Sequence, residues 1–277
     1  MNDVRSLTSQ EYDQIRELVY HKFGIHLGEQ KQALVAGRLN KILREMGIAT
    51  FSEYYDYLQS DKSGKGLNTL INRISTNHTF FFREPAHFDF LSNTAIPQLV
   101  AQYAGSRDQE FRLWCAGSSS GEEPYTEAML LHNYFSQNHT NWRYRVLATD
   151  ISETALKKAI HGVYSAENVE KMPERFVRRF FNKLDGERYE IKDMVKEIVT
   201  YRRLNLIRPE FPFRKKFHAI FCRNVMIYFD TDTREALVRR FYDHLLPGGY
   251  LFIGHSESIS REKKLFNYVQ PAIYQKP

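Results

Sequence analysis

The segment FRLWCAGSSSGEEPYTEAMLLHNYF, residues 111–135, is the strongest indication of the fold class. It reads as a buried apolar strand, a turn of small residues and then a helix. Pro124 falls in the first turn of that helix, where a missing N–H leaves no hydrogen bond unmade. A strand that passes through a glycine-containing turn into a helix is the repeating unit of an α/β sheet.

Later segments repeat this alternation of strand and helix. Further strands are predicted at 144–152, 218–229 and 250–256, and further helices at 152–164 and 231–246, the last one stopped by Pro247-Gly248-Gly249. Strands that alternate with helices of roughly 10–15 residues predict a parallel, doubly wound sheet with right-handed crossovers. The apolar runs of the tail, 264–276, predict a closing hairpin.

The segment 180–203 breaks the alternation. DGERYEI (185–191) and EIVTYRR (197–203) both alternate polar and apolar residues, and Asp185-Gly186 is a turn signal. This pattern predicts a small antiparallel β insertion at about 180–203.

Residues 8–75 read as helices and carry no strand signal. Thr8 with Glu11, and Thr50 with Glu53, form capping-box patterns at two helix starts. The sequence therefore predicts a helical domain at 1–75, a linker at 76–90 and an α/β domain at 91–277.

Composition excludes several classes of protein. Lys plus Arg (39) exceed Asp plus Glu (33) by six, which permits an acidic partner without requiring nucleic acid. Cys115 and Cys222 lack the spacing of a zinc site or a disulfide framework, which favours the reducing cytoplasm. No apolar run approaches about 18 residues, so we expect no membrane insertion. No GxSxG motif and no histidine pair at ligand spacing occur, so a hydrolase is disfavoured and no metal is expected.

The predicted second helix has a basic face. The segment 31–44 has no acidic residue and four basic ones, Lys31, Arg38, Lys41 and Arg44. These cover an arc of about 140°, opposite an apolar stripe. The face is either an ordinary solvated surface or a docking surface for an acidic partner.

Polar residues follow each predicted strand, where doubly wound sheets bind ligands. The loop 116–124 lacks the GxGxxG spacing, and Glu122 and Glu123 would repel a pyrophosphate, so the loop favours a neutral or cationic ligand unless its acids are ordinary helix caps. Asp150 is placed to bind both hydroxyls of a ribose; the alternative role, a helix cap, suits Ser152 better.

Two further polar groups need an explanation. Arg223-Asn224 interrupts an apolar run, so Asn224 and Tyr228 are either site residues or part of a satisfied polar pair at a strand end. In the segment 77–84 the phenylalanines read as packing, whereas Asn77, Thr79 and Arg83 do not.

Several motifs together resemble one family. They are NHTFFFRE (77–84), GSSSGEEPY (117–125), LATDIS (147–152), RRLNL (202–206), FCRNVMIYF (221–229) and LLPGGYLFIGHSES (245–258). In this order they are similar to the chemotaxis receptor methyltransferases, the CheR family, from about residue 8 to the C-terminus.

The resemblance implies a class I S-adenosylmethionine-dependent protein-glutamate O-methyltransferase that forms γ-glutamyl methyl esters on the cytoplasmic helical domain of chemoreceptors. It implies that the 76–90 linker contributes to the cofactor site. The implied cofactor contacts are Asn77, Thr79, Arg83, Glu123, Asp150, Asn205, Leu206, Asn224 and Val225. Arg83 and Tyr228 would face the transferring methyl group, and Arg38, Lys41 and Arg44 would dock the receptor.

One departure from the family bears on the receptor partner. Many members carry a glycine-rich loop in the β insertion that binds a C-terminal receptor pentapeptide, whereas here the matching stretch, 182–193, has only Gly186. We therefore expect a pentapeptide-independent, monomeric member. The rival interpretations are a nucleic-acid methyltransferase, which NVMIY disfavours because it lacks a Pro-Pro aromatic motif, and a binding module without turnover.

Overall fold

The computed structural model describes residues 5–75, 78–138, 141–259 and 265–277. These divide into two compact units. The first holds the described residues up to position 75 together with 228–233, and the second holds the remainder. The second unit thus includes 78–90, which the sequence assigns to a linker, and Phe81 and Phe88 pack into its hydrophobic core.

The first unit is helical. Its helices are α1 (Ser9–Phe23), α2 (Gln32–Met46), α3 (Phe51–Ser60) and α4 (Lys65–Ile74), with a 3₁₀ turn at Glu29–Lys31 before α2. The predicted capping box is present: the Thr8 hydroxyl accepts a hydrogen bond from the Glu11 N–H, and the Glu11 carboxylate accepts one from the Thr8 N–H. The Thr50 hydroxyl caps α3 by accepting the Glu53 N–H, but the Glu53 carboxylate accepts the N–H of Ala49 and not that of Thr50, so the second predicted box is only half formed.

The second unit is built on a seven-stranded sheet, which confirms the predicted doubly wound class. Its strands are β1 (Glu110–Ala116), β2 (Arg143–Asp150), β6 (Val199–Arg203), β7 (Phe217–Cys222), β8 (Leu245–Ile253), β9 (Asn267–Gln270) and β10 (Ile273–Gln275). The order is β6-β2-β1-β7-β8-β10-β9. Only β10 runs against the other strands: it pairs antiparallel with β8 on one side and with β9 on the other, and β9 and β10 form the predicted hairpin.

Helices connect these strands. They are α5 (Pro85–Phe90) and α6 (Ile96–Gln102), joined by a π-helical turn at Leu91–Ala95; α7 (Glu122–Gln137) after β1; α8 (Glu153–His161) after β2; α9 (Ala166–Glu170), α10 (Glu174–Phe180) and α11 (Asp193–Lys196) before β6; and α12 (Thr231–His244) before β8. The residues from Leu113 to Ala116 in β1 are all apolar and buried, and β7 is buried throughout with His218 as its one polar residue, which a parallel sheet covered on two sides requires.

A separate three-stranded antiparallel sheet lies in the crossover from β2 to β6. It consists of β3 (Val163–Ser165), β4 (Phe181–Lys183) and β5 (Arg188–Ile191), in the order β3-β5-β4. The predicted insertion at 180–203 was wrong at its C-terminal end, because 199–203 is β6 and pairs parallel to β2 in the main sheet. An alternating pattern suits an edge strand of either sheet, so the pattern alone could not separate them.

Two other boundaries differ from the prediction. The third strand predicted at 218–229 ends at Cys222, because Asn224 has a left-handed φ of 58° and Met226–Tyr228 forms a 3₁₀ turn. Pro247-Gly248-Gly249 does not separate helix from strand, since β8 already begins at Leu245 and passes through them. Among the helices of the described residues, none is both long and apolar enough to cross a membrane.

Candidate functional site

The register of the sheet brings four loops to one edge. Ala116 at the end of β1 pairs with Thr149 of β2, Cys115 pairs with Phe221 of β7, and Cys222 pairs with Ile253 of β8. Because these strands are parallel, the segments that follow them leave the sheet on the same side. Those segments are 117–121, 150–152, 223–227 and 254–257.

Glycines at both ends of the first loop allow this close approach. Gly117 has a φ of 100°, and a Cβ there would lie 2.4 Å from the Val225 side chain. Gly121 has a φ of 101°, and a Cβ there would lie 2.7 Å from the Tyr164 hydroxyl. Val225 therefore packs directly on the backbone of the loop, which places the third-strand segment against the first.

Asp150 fixes the same loop from the second strand. Its Oδ2 accepts the Ser119 N–H at 2.7 Å, and its Oδ1 accepts the Ser152 N–H at 2.8 Å. Ser119 has a left-handed φ of 47°, so this bond holds a strained turn. Burial raises the pKa of Asp150, while the backbone N–H donors oppose that rise. Ser152 caps α8 through the Ala155 N–H, as the sequence suggested.

Asn205 and Leu206 lie beside Asp150. The N–H of Leu204, at the end of β6, donates to the Asp150 carbonyl at 3.0 Å. The Asn205 side-chain oxygen accepts the Ile207 N–H at 3.2 Å, and Leu206 is buried. Asn205 and Leu206 follow β6, the strand that the sequence pattern assigned to the β insertion, and they therefore lie at the same edge of the main sheet.

Arg223 is the most connected side chain of this edge, and only 1% of it is exposed. It donates to the Glu123 carboxylate at 2.6 Å and lies 3.1 Å from the Glu84 carboxylate. It also donates to the Arg83 carbonyl and stacks on the Phe88 ring. We call Arg223, Glu84, Glu123 and the Arg83 carbonyl the Arg223 network. It joins three segments that are far apart in the chain.

The network also sets the charge of its surroundings. Burial alone would raise the pKa of Glu84, but the Arg223 guanidinium outweighs it and holds that pKa below its ordinary value. Burial, helped by the same guanidinium, lowers the pKa of His87 to about 3, so this imidazole is neutral at pH 7. Glu127 lies fully buried near Glu123, and desolvation raises its pKa well above the ordinary value.

Residues 78–84 approach the edge from the N-terminal side. Arg83 donates from Nη1 to the His78 carbonyl at 2.8 Å and lies over the Phe80 ring. Thr79 is half-buried. Asn77, also predicted to contact the cofactor, lies outside the described residues.

Tyr228 belongs to the first unit. Its carbonyl accepts the His26 N–H at 2.7 Å, and Lys31 Nζ lies 5.7 Å from its ring. Its position beside Arg83 stays a prediction.

The basic face of α2 is also present in the first unit. Lys41 and Arg44 are exposed, and Val35, Leu39, Ile42 and Leu43 are buried on the other side. Arg38 donates to the Ile74 carbonyl at 2.5 Å, so it also closes the C-terminal end of α4. Lys41 and Arg73 both lie near the Glu45 carboxylate, at 4.0 and 3.2 Å.

The chemistry of the site fits a nucleoside that carries a positive charge. The loop 116–124 has two acids and no basic side chain, and Asp150 adds a third acid. The Ser118 and Ser119 hydroxyls are buried there without a hydrogen-bond partner in the described part of the chain. Such a loop suits a sulfonium and a ribose better than a pyrophosphate. The fold and this edge together define a class I methyltransferase.

The chain belongs to the CheR methyltransferase family. Residues 77–274 match the family described as "CheR methyltransferase, SAM binding domain", and residues 10–75 match "CheR methyltransferase, all-alpha domain". The prediction of this family and of S-adenosylmethionine as cofactor is confirmed.

Named relatives agree with the family match. The chain is 43% identical to the chemotaxis protein methyltransferase of Borreliella burgdorferi, over 98% of this chain and 95% of the relative. It is 34% identical to that of Escherichia coli, over 99% and 93%. A structure of PKMT2 from Rickettsia typhi in complex with AdoHcy covers 52% of this chain and 20% of that one, at 13% identity and a TM-score of 0.33, which is too low to carry an argument.

Sequence reasoning missed three residues of the edge. Glu84, Arg223 and Glu257 all lie within the family motifs, but the sequence assigns none of them a role, although Glu257 accepts backbone N–H groups from the loop that follows β7. The costly polar interruption at Arg223-Asn224 was the one available signal for this network.

Replacing Arg223 by Met should destabilise the protein by roughly 3–5 kcal/mol, because two largely buried carboxylates lose their counter-charge. The control is Arg178→Met, whose partner Glu174 lies at the surface as Arg178 itself does, and which should cost about 1 kcal/mol or less. Urea unfolding followed by circular dichroism measures both.

In the Arg223→Met variant, the contribution of Glu84 to the pH dependence of stability should reverse its sign. In the wild type the lowered pKa of Glu84 supplies stability that is lost only as pH falls through that lowered pKa. Without the guanidinium, burial raises that pKa, so the variant should gain stability relative to the wild type between pH 7 and pH 5. If the free energy of unfolding changed with pH by the same slope in both proteins, the role assigned to Arg223 would be contradicted.

Proposed function

We propose that this enzyme transfers a methyl group from S-adenosylmethionine to glutamate side chains of methyl-accepting chemotaxis receptors and forms γ-glutamyl methyl esters. The observation that carries the proposal is the acid-rich sheet edge built around Asp150 and the Arg223 network, within a chain of the CheR family. The names of the relatives, chemotaxis protein methyltransferases, support chemoreceptors as the substrate.

The reaction requires little acid–base chemistry of the protein. A glutamate side chain has a pKa near 4.3 and is already an anion at pH 7, so it attacks without a general base. The cofactor supplies an electrophilic methyl carbon on a sulfonium, and S-adenosylhomocysteine remains. A carbon–oxygen bond forms, a carbon–sulfur bond breaks and no proton moves. Catalysis then depends on placing the two partners, which is worth about 7–11 kcal/mol in favourable cases.

The roles of the individual residues are proposed from the family resemblance, and the positions of the described residues support them. Asp150, Asn205 and Leu206 would hold the adenosine, and Glu123, Asn224 and Val225 would line the other side of the loop that begins at Gly117. Asn77, Thr79 and Arg83 would close the site from the N-terminal segment. This assignment rests on the meeting of β1, β2, β6 and β7 at one edge.

Arg83 and Tyr228 would act at the methyl group. The hydrogen bond from Arg83 to the His78 carbonyl restrains the guanidinium, and this supports a role of Arg83 in orienting the incoming carboxylate. A tight bidentate pair would blunt the nucleophile, so Arg83 should act at a distance or on the cofactor side. Tyr228 would hydrogen-bond near the sulfur and the entering oxygen.

Receptor docking is assigned to the basic face of α2. Lys41 and Arg44 are exposed there, and Arg38 extends the same face while it also ties α2 to α4. The turn between β4 and β5 has Gly186 as its only glycine, so we propose that docking does not need a receptor pentapeptide.

The Asp150→Asn variant should weaken the binding of S-adenosylhomocysteine at least about tenfold, because an amide can accept only one of the two N–H bonds that the carboxylate accepts. Titration calorimetry measures this. Glu153→Gln, three residues later and exposed, is the control and should bind as the wild type does. An unchanged affinity in folded Asp150→Asn would remove Asp150 from the cofactor site.

The Lys41→Ala/Arg44→Ala double variant should lower kcat/KM for receptor membranes about tenfold and flatten its dependence on salt, with the KM for the cofactor unchanged. Lys62→Ala/Lys65→Ala removes the same charge from exposed positions elsewhere in the first unit and serves as the control. Equal losses in the two double variants would mean that total charge, and not the face of α2, recruits the receptor.

A further inference from the structure

The turn that follows β8 is closed by one of its own side chains. The Gly254 N–H donates to Glu257 Oε2 at 2.6 Å, and the Glu257 N–H donates back to the Gly254 carbonyl at 2.9 Å. Since β8 is the sheet neighbour of β7, with Ile253 opposite Cys222, this turn carries the carboxylate to the segment 223–227.

The same carboxylate binds that segment. Glu257 Oε2 accepts the Asn224 N–H at 2.9 Å, and Oε1 accepts the Ile227 N–H at 3.1 Å. The N–H groups of Gly254, Asn224 and Ile227, which come from two loops, therefore share one carboxylate, and Glu257 is only 9% exposed. Hydrogen bonds to an ionised acceptor are about twice as strong as neutral ones, so this is a firm link between the loops.

The link holds Asn224 in an uncommon conformation. Asn224 has a left-handed φ of 58°, which is uncommon for a non-glycine residue and which asparagine tolerates better than most. A Cβ at Gly254 would lie 2.6 Å from Asn224 Nδ2 and 2.9 Å from its backbone nitrogen. Asn224 is thus held on one side by the Glu257 carboxylate and on the other by the backbone of Gly254, where a side chain would leave no room.

We propose that Glu257 is a positioning residue for the methyl donor, which it sets in place through Asn224 and Val225 without touching it. Val225, the next residue, packs on the backbone of Gly117 at the start of the first loop. A rotation of Asn224 out of its left-handed conformation would withdraw Val225 from that contact. The inference rests on the proposed function to the extent that Asn224 and Val225 hold the cofactor.

Replacing Glu257 by Gln tests this role. The amide keeps the size of the side chain but has one acceptor oxygen, so its NH₂ group must face at least one of the three N–H groups. We expect the dissociation constant for S-adenosylhomocysteine, measured by calorimetry, to rise about tenfold. The KM for the cofactor should rise in parallel, whereas the KM for receptor membranes should not change.

Two further variants keep the outcome clear. Glu257→Asp retains the charge but is one methylene shorter, and it should bind with intermediate affinity; this result also serves if Glu257→Gln does not fold. Glu190→Gln removes a carboxylate of the small sheet that pairs with Lys196, and it should leave cofactor affinity unchanged. A merely structural role for Glu257 would lower the melting temperature and leave the affinity of the folded protein as it was.

The result that overturns the inference is a folded Glu257→Gln or Glu257→Asp protein whose affinity for S-adenosylhomocysteine lies within twofold of the wild type. Failure of the proposed function looks different, because then the wild-type protein itself would leave chemoreceptor membranes without base-labile label, whatever the Glu257 variants do to cofactor affinity.

Discussion

A buried guanidinium between two carboxylates is the interaction on which the site depends. Arg223 lies between Glu84 and Glu123 with almost no access to water, and each carboxylate comes from a different segment. Removing ions from water is expensive unless they are paired and hydrogen-bonded, so none of the three segments can move away alone without leaving an unpaired charge behind. The cost of separation is what keeps the segments together.

Strand pairing and side-chain contacts fix different parts of the site. Parallel pairing of β1, β2 and β7 brings their carboxyl ends together, but pairing alone does not fix the loops beyond them. Asp150 fixes the loop after β1 by accepting the Ser119 N–H, and Glu257 fixes the loop after β7 by accepting the Asn224 N–H. Hydrogen bonds from backbone N–H groups to buried carboxylates therefore determine the shape of this edge. The same carboxylates make the site acidic, which suits a cationic cofactor.

Local sequence patterns predicted most of the fold and pointed to candidate site residues. Apolar runs located β1, β2 and β7, and capping residues located the starts of α1 and α3. Asp150 and Asn224 could be identified because an acid or an amide that directly follows a buried strand has few structural explanations. The edge strand β6 was assigned to the wrong sheet because an alternating run carries no information about its partner.

The contacts that hold the site together could not be predicted in this way. Arg223 is 100 residues from Glu123 and 140 residues from Arg83, and no local pattern specifies pairs at such separations. Glu257 reads as an ordinary polar residue in a turn until β8 is known to lie beside β7. These contacts depend on the order of strands in the sheet, which only the folded chain supplies.

Receptor methylation is tested most directly by incubating the wild-type enzyme with tritiated S-adenosylmethionine and chemoreceptor-containing membranes, and by mapping the product with peptide mass spectrometry. We expect a base-labile label on glutamate side chains of the receptor's cytoplasmic helices, and no label on added DNA or RNA. Label on nucleic acid, or cofactor binding without any base-labile label on the receptor, would contradict it.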